Sequence, residues 1–130
     1  MKIAIVDDDH LFQFMTHKLI ERIAPGHQLL GFQDGQPALD FIQANQSHLQ
    51  RLPELILLDI NMPLLNGWQF LEGLKQLEAT TYRPRIYMVS SSIDPADVLK
   101  SQTYAQVKGY LTKPLSKQQL TELLSDPIRE

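Results

Sequence analysis

Two spacings of apolar residues alternate along the chain. Ile3 to Val6 is an unbroken apolar run, followed at once by Asp7, Asp8 and Asp9. Such a run predicts a short strand buried on both faces. From Leu11 onward the apolar positions take helical spacing. Leu11, Met15, Leu19 and Ile23 stand four apart, with Phe12 and Ile20 beside them. Pro25-Gly26 closes that helix. His27 to Phe32 predicts a second strand. Asp34 predicts the N-cap of a helix reaching about Ala44, with Ala38, Leu39 and Ile42 on one face. A polar loop leads to a third strand, Leu55 to Leu58. A helix from about Gly67 then turns Trp68, Leu71 and Leu74 inward. Arg85 to Ser90 predicts a fourth strand. The next helix opens with Asp94 as N-cap, Pro95 at its first position and Asp97 in its first turn. Val107 to Thr112 predicts a fifth strand. Ser116 and Gln119 form a capping box for a last helix with Leu120, Leu123 and Leu124 inward.

Strand then helix, five times over, predicts an α/β fold: a doubly wound parallel sheet with helices on both faces. No linker or change of composition divides the chain, so one domain over residues 1–130 is expected. The formal net charge of -3 and pI of about 5.8 leave no basic footprint for direct nucleic-acid binding. The chain has no cysteine, which excludes disulfides, thiolate metal sites and thiol nucleophiles. Its first apolar run is too short for a signal peptide, and no segment approaches a membrane span. A cytoplasmic protein away from the membrane is expected.

In sheets of this kind, ligands bind beyond the carboxyl ends of the strands. The residues delivered there carry the chemistry. Strand one supplies Asp7, Asp8 and Asp9. Strand three supplies Asp59, with Asn61 two residues on. Strand four supplies Ser90, then Ser91 and Ser92. Strand five supplies Lys113, then Pro114. An ionised Asp59 inside an apolar strand would be costly; at the strand's end it can be exposed and put to use. Three carboxylates about 5 Å apart repel by roughly 3 kcal/mol per pair at an effective dielectric of ~20. One lysine does not offset that, whereas a divalent cation does. Metal-dependent chemistry is therefore expected, with Asp9 capping the first helix.

The segments IVDDD, LLDINMP with NGW, MVSSS and GYLTKPL together resemble the receiver domain of bacterial two-component response regulators, over essentially the whole chain. The resemblance implies a flavodoxin-like sheet of order 2-1-3-4-5 and a stand-alone receiver. It implies that Asp59 accepts a phosphoryl group from a phosphohistidine on a sensor histidine kinase or phosphotransfer protein. Asp7, Asp8, Asp59 and the Asn61 carbonyl would hold Mg²⁺, with Mn²⁺ as a substitute. Ser90 and Lys113 would engage the phosphoryl oxygens, and a cis Lys113–Pro114 peptide would aim the ammonium. Ser90 and Tyr110 would form the switch. The signal would pass to a separate output protein through the face of the fourth helix, fifth strand and fifth helix, with Lys100, Tyr104, Tyr110 and Lys117 as exposed candidates. Phosphorylation adds a dianion that such a bistable element converts into a new surface.

Ser90 stands where threonine is commoner in the family. The segment SQTYAQVKGY lacks the small residues many receivers carry before strand five, which leaves the fourth helix's length open. Two other functions compete. A degenerate receiver would serve as a constitutive docking module. A haloacid-dehalogenase-like phosphatase would use Asp7 as nucleophile, but it leaves Asp59 and DINMP unexplained. A flavodoxin-type cofactor site is excluded, because three acids after strand one would repel a phosphate.

Overall fold

The computed structural model describes residues 1–77 and 81–125. Its strands are β1 (Lys2–Val6), β2 (Gln28–Phe32), β3 (Leu55–Asp59), β4 (Arg85–Ser90) and β5 (Val107–Thr112). Between and after them lie α1 (His10–Ile23), α2 (Gly35–Ala44), α3 (Gly67–Lys75), α4 (Pro95–Ser101) and α5 (Lys117–Ser125). All neighbouring strands pair in parallel, in the order β2-β1-β3-β4-β5. This is the flavodoxin-like topology of receivers.

Strand alternation divides the interior into two cores. Ala4, Val6, Ile56, Leu58, Ile86 and Met88 face Ala38 and Ile42 of α2 and Phe70 and Leu71 of α3. Ile3, Ile5, Leu55, Leu57 and Val89 face Phe12 and Ile20 of α1 and Leu120 and Leu123 of α5. The central strands are buried on both faces, which is why β1 and β3 read as unbroken apolar runs. Asp9, Asp34 and Asp94 cap α1, α2 and α4 through their side chains. Asn66 and Gln69 form a reciprocal capping box on α3, and Ser116 and Gln119 form one on α5.

The first helix differs from its predicted stripe. Phe12, Gln13, Thr16 and Ile20 are buried, whereas Leu11, Phe14 and Met15 are exposed. The inward face is rotated by one residue from the Leu11–Met15 stripe. Trp68 is half-buried: it packs against the first of these cores, and its ring stacks on Tyr104 with centroids 6.1 Å apart. The open question about the fourth helix resolves as a seven-residue α4 whose last residue, Ser101, is buried. Of the expected exposed set, Lys100 and Lys117 are exposed, but Tyr104 and Tyr110 are half-buried. Tyr104 is held by Trp68 and donates its O–H to Glu72 at 2.6 Å. The Lys100 ammonium lies 4.8 Å from the Trp68 ring centroid.

Asp34 does more than cap. Its carboxylate also accepts the backbone N–H groups of Leu64 and Leu65, at 3.0 and 2.8 Å, and so ties the β3–α3 loop to α2. Burial alone would raise its carboxyl, but the N–H groups of Leu64, Leu65, Gln36 and Gly35 outweigh burial and hold it below the usual range. Asp34→Ala is expected to cost about 2–3 kcal/mol, since it removes a cap and orphans loop N–H groups. Chemical denaturation checks this. Because the folded carboxyl is lowered, this contribution is present above about pH 4 and fades as pH falls through the folded value.

Candidate functional site

Parallel pairing brings every strand's carboxyl end to one edge. There β1 delivers Asp7, fully buried, and the exposed Asp8; β3 delivers Asp59, only 6% exposed. One carboxylate oxygen from each of these three lies within 4.8 Å of the others. β4 ends in the buried Ser90, whose carbonyl accepts the Lys113 N–H at 2.8 Å. The Lys113 ammonium lies 2.8 Å from Asp7 Oδ2 and 3.7 Å from Asp59 Oδ1. It also stands 4.9 Å from the centroid of the Phe12 ring, a cation–π contact. The Lys113–Pro114 peptide is cis, as the resemblance implied.

The edge is electrostatically unbalanced. Burial first, then the charge of Asp7, pushes the Asp59 carboxyl from 3.8 up to about 7, against the pull of Lys113 and the Ile60 N–H. Burial likewise raises Asp7, although Lys113 and the Asp9 N–H favour its charged form. Burial works to lower the Lys113 ammonium, but its hydrogen bond to Asp7 and the charges of Asp7 and Asp59 prevail and raise it. Asp7 Oδ2 is fully buried, and the Lys113 ammonium 2.8 Å away is its compensation. A single ammonium thus faces three carboxylates. The donor set is hard oxygen throughout, so these residues fit a hard divalent cation and offer nothing to a soft one.

Three residues build the edge without joining it, and sequence reasoning missed two of them. Gln13, buried in α1, donates from Nε2 to the carbonyls of Ile5 and Phe32 at 2.8 and 2.9 Å, and lies 3.2 Å from that of Asp7. It binds α1 to the ends of β1 and β2. Its signal was a polar residue beside Phe12 on the first helical turn. Gly67 lets α3 approach the end of β3: a Cβ there would stand 2.6 Å from the Asp59 carbonyl oxygen. The loop clamp of Asp34 is the third, and only its capping role was legible.

The remaining expected residues take these places. Asn61 lies exposed in the loop after Asp59. Ser90 Oγ accepts the Ser92 N–H at 3.4 Å. Tyr110, half-buried on β5, donates its O–H to the Ser92 carbonyl at 3.2 Å. Ser90 and Tyr110 therefore meet through the loop that follows β4.

A five-stranded parallel sheet of this order, with three acids and a lysine at its carboxyl edge, defines a receiver. Residues 3–125 match the response regulator receiver domain model, and the chain belongs to that family. It is 27% identical over 95% of its length to a probable methanogenesis regulatory protein of Methanothrix harundinacea, 79% of which it covers. It is 32% identical over 95% of its length to a glycerol metabolism activator of Pseudomonas putida, and spans 52% of that longer protein. It superimposes on a two-component response regulator from Cytophaga hutchinsonii with a TM-score of 0.84 and 27% identity, covering 95% of this chain and 92% of that one. The chain is thus a component of two-component signalling, of a family not generally classed as enzymes, and implies a partner histidine kinase. Among the described residues, no helix is long and apolar enough to cross a membrane.

Proposed function

We propose that this chain is a phosphorylation-activated receiver, a single domain over residues 1–130 acting in the cytoplasm, in which Asp59 is the phosphoryl acceptor. Residues 126–130 lie outside the described structure. The observation that carries the reading is the convergence of Asp59 with Asp7, Asp8 and Lys113 at one edge. An Asp59 carboxylate oxygen attacks the phosphorus of a phosphohistidine. The new O–P bond forms as the N–P bond breaks, and the imidazole leaves with the electron pair and takes up a proton. Such transfer depends on positioning and charge stabilisation more than on a base.

Each residue then has a task. Lys113 lies close enough to Asp59 to pair with an oxygen of the incoming phosphoryl. Ser90 offers its hydroxyl from the end of β4. Asp7, Asp8, Asp59 and the Asn61 carbonyl would hold Mg²⁺, or Mn²⁺ in its place. When bound, the ion supplies positive charge to the acids and to the transferring phosphoryl group. Tyr110 and Ser90, joined through the Ser92 segment, form the switch. A shift of the Ser90 hydroxyl toward the phosphoryl would release the Tyr110 tether and reshape the face of α4, β5 and α5 for a separate output protein. That face recognises protein, with neither nucleic acid nor membrane as a direct partner.

Intact-mass measurement after incubation with acetyl phosphate and Mg²⁺ tests the proposal. One added phosphoryl group is expected, absent without Mg²⁺ and absent in Asp59→Asn. No gain in a wild-type protein shown to bind Mg²⁺ would favour a docking module that works unphosphorylated.

A further inference from the structure

Three groups surround the Lys113 ammonium. Asp7 Oδ2 stands 2.8 Å away, Asp59 Oδ1 3.7 Å away, and the centroid of the Phe12 ring 4.9 Å away. The two carboxylates have parts in the proposed chemistry. The ring cannot react, yet it faces the one cation of the site.

The fold fixes that ring firmly. Phe12 is only 6% exposed and packs in the same core as Leu115 and Leu120. Its backbone N–H donates to Asp9 Oδ1 at 3.1 Å, in the N-cap of α1. The next residue, Gln13, is tied to the carbonyls of Ile5 and Phe32. The lysine has no such fixing of its own, because its four-carbon stem is flexible and its ammonium is a compact charge with three rotatable donors. Beside it opens a cavity of about 260 Å³, bounded by Phe12, Met15, Ser91, Lys113 and Pro114. Removing the ring would enlarge that space and leave the stem free to turn into it, away from Asp59. An aromatic face attracts the cation. A carboxylate in its place would also attract the ammonium, but would compete for the N–H groups that a phosphoryl oxygen needs.

We propose that Phe12 is a positioning residue for phosphoryl transfer, its ring face holding the Lys113 ammonium beside Asp59 where the phosphoryl oxygens arrive. The inference rests on the reading of Asp59 as the acceptor. It gives the one-residue rotation of α1 a use, since the turn that sends Gln13 inward also brings Phe12 inward under the lysine.

The test replaces Phe12 with mono-, di- and trifluorinated phenylalanine through a reassigned codon. Each fluorine withdraws charge from the ring face and barely alters its shape. The rate of phosphoryl uptake from acetyl phosphate with Mg²⁺ should fall stepwise along the series, by about tenfold in all. Phe12→Leu should fall at least as far, and in a Lys113→Met background the fluorines should change nothing. A second readout needs neither Mg²⁺ nor turnover. In metal-free protein the Lys113 Hε protons should resonate upfield of free lysine, under the ring, and should lose that shift in Phe12→Leu. If Phe12→Leu fails to fold, the fluorinated series carries the test. Uptake at an unchanged rate along the series would overturn this proposal and leave the Asp59 reading intact. No uptake by the wild type would overturn the Asp59 reading, and with it a role for Phe12 in transfer. A Lys113 signal at the free-lysine position in the wild type would refute the contact itself.

Discussion

Asp59→Asn is expected to abolish phosphoryl uptake and, in the absence of Mg²⁺, to make the protein more stable. Loss of uptake follows from loss of the nucleophile. The gain in stability follows from the Asp59 carboxyl's rise to about 7. A carboxyl that is raised on folding takes up protons as the chain folds. Its ionised form therefore subtracts from stability progressively as pH climbs from about 4 to about 7, and in full above that window. Carried straight through, the rise from 3.8 to about 7 equals about 4 kcal/mol. The amide would lose the Lys113 attraction, and side chains at the edge relax, so about 1–2 kcal/mol is the expected net gain at pH 8. Near pH 4 the two proteins should differ little. Mg²⁺ reverses the order: at a hundred times its dissociation constant it adds about 2.7 kcal/mol. That gain should grow with pH in the wild type and be weaker in the variant. Thermal unfolding at pH 4, 6 and 8, with and without Mg²⁺, checks the whole pattern.

Lys113→Met should have the opposite effect on the metal-free protein. Asp7 is fully buried and its Oδ2 has the Lys113 ammonium as its compensation. Removing one partner of a buried pair typically costs about 3–5 kcal/mol. The Lys113 side chain is 14% exposed and one carboxylate can take a proton, so about 2–3 kcal/mol is expected at pH 7. The ammonium is raised on folding, so its contribution is present at neutral pH and is lost as pH climbs through the lysine's folded value. Mg²⁺ should restore much of the stability, because a divalent cation can also neutralise Asp7. It should not restore function: losing a preorganised charge at the transferring group is expected to slow phosphorylation on the order of a hundredfold. Denaturant titration and the rate of acetyl phosphate uptake separate these two roles. A variant that recovers full rate with Mg²⁺ would reduce Lys113 to a structural counter-ion.

The sheet was legible because its central strands are buried on both faces, so Ile3–Val6 and Leu55–Leu58 had no polar residue to blur them. Their acids were legible because parallel pairing sends every carboxyl end to one edge, and Asp7, Asp8, Asp59 and Lys113 do meet there. The first helix was misread by one residue for a physical reason. Counting apolar positions favours Leu11 and Met15, but the carbonyls of Ile5 and Phe32 need a donor, and Gln13 supplies it. That turns Gln13 inward and leaves Leu11, Phe14 and Met15 exposed. The same limit hid the loop clamp of Asp34, whose partners lie 30 and 31 residues away. Tyr104 read as an exposed residue until the fold placed it against Trp68. Arg85 opened a predicted strand, and only tertiary packing leaves its Nε and Nη1 without a hydrogen-bond partner among the described residues.

The central claim is that Asp59 carries the phosphoryl group, and its most direct test is chemical. The protein is phosphorylated with acetyl phosphate and Mg²⁺, reduced with borohydride, digested and sequenced by mass spectrometry. Reduction of an acyl phosphate converts that aspartate to homoserine and so marks the acceptor. Homoserine at position 59, and none at position 7 or 8, is the result this account predicts. Homoserine at position 7 with Asp59 intact would contradict it and return the site to the phosphatase-like alternative.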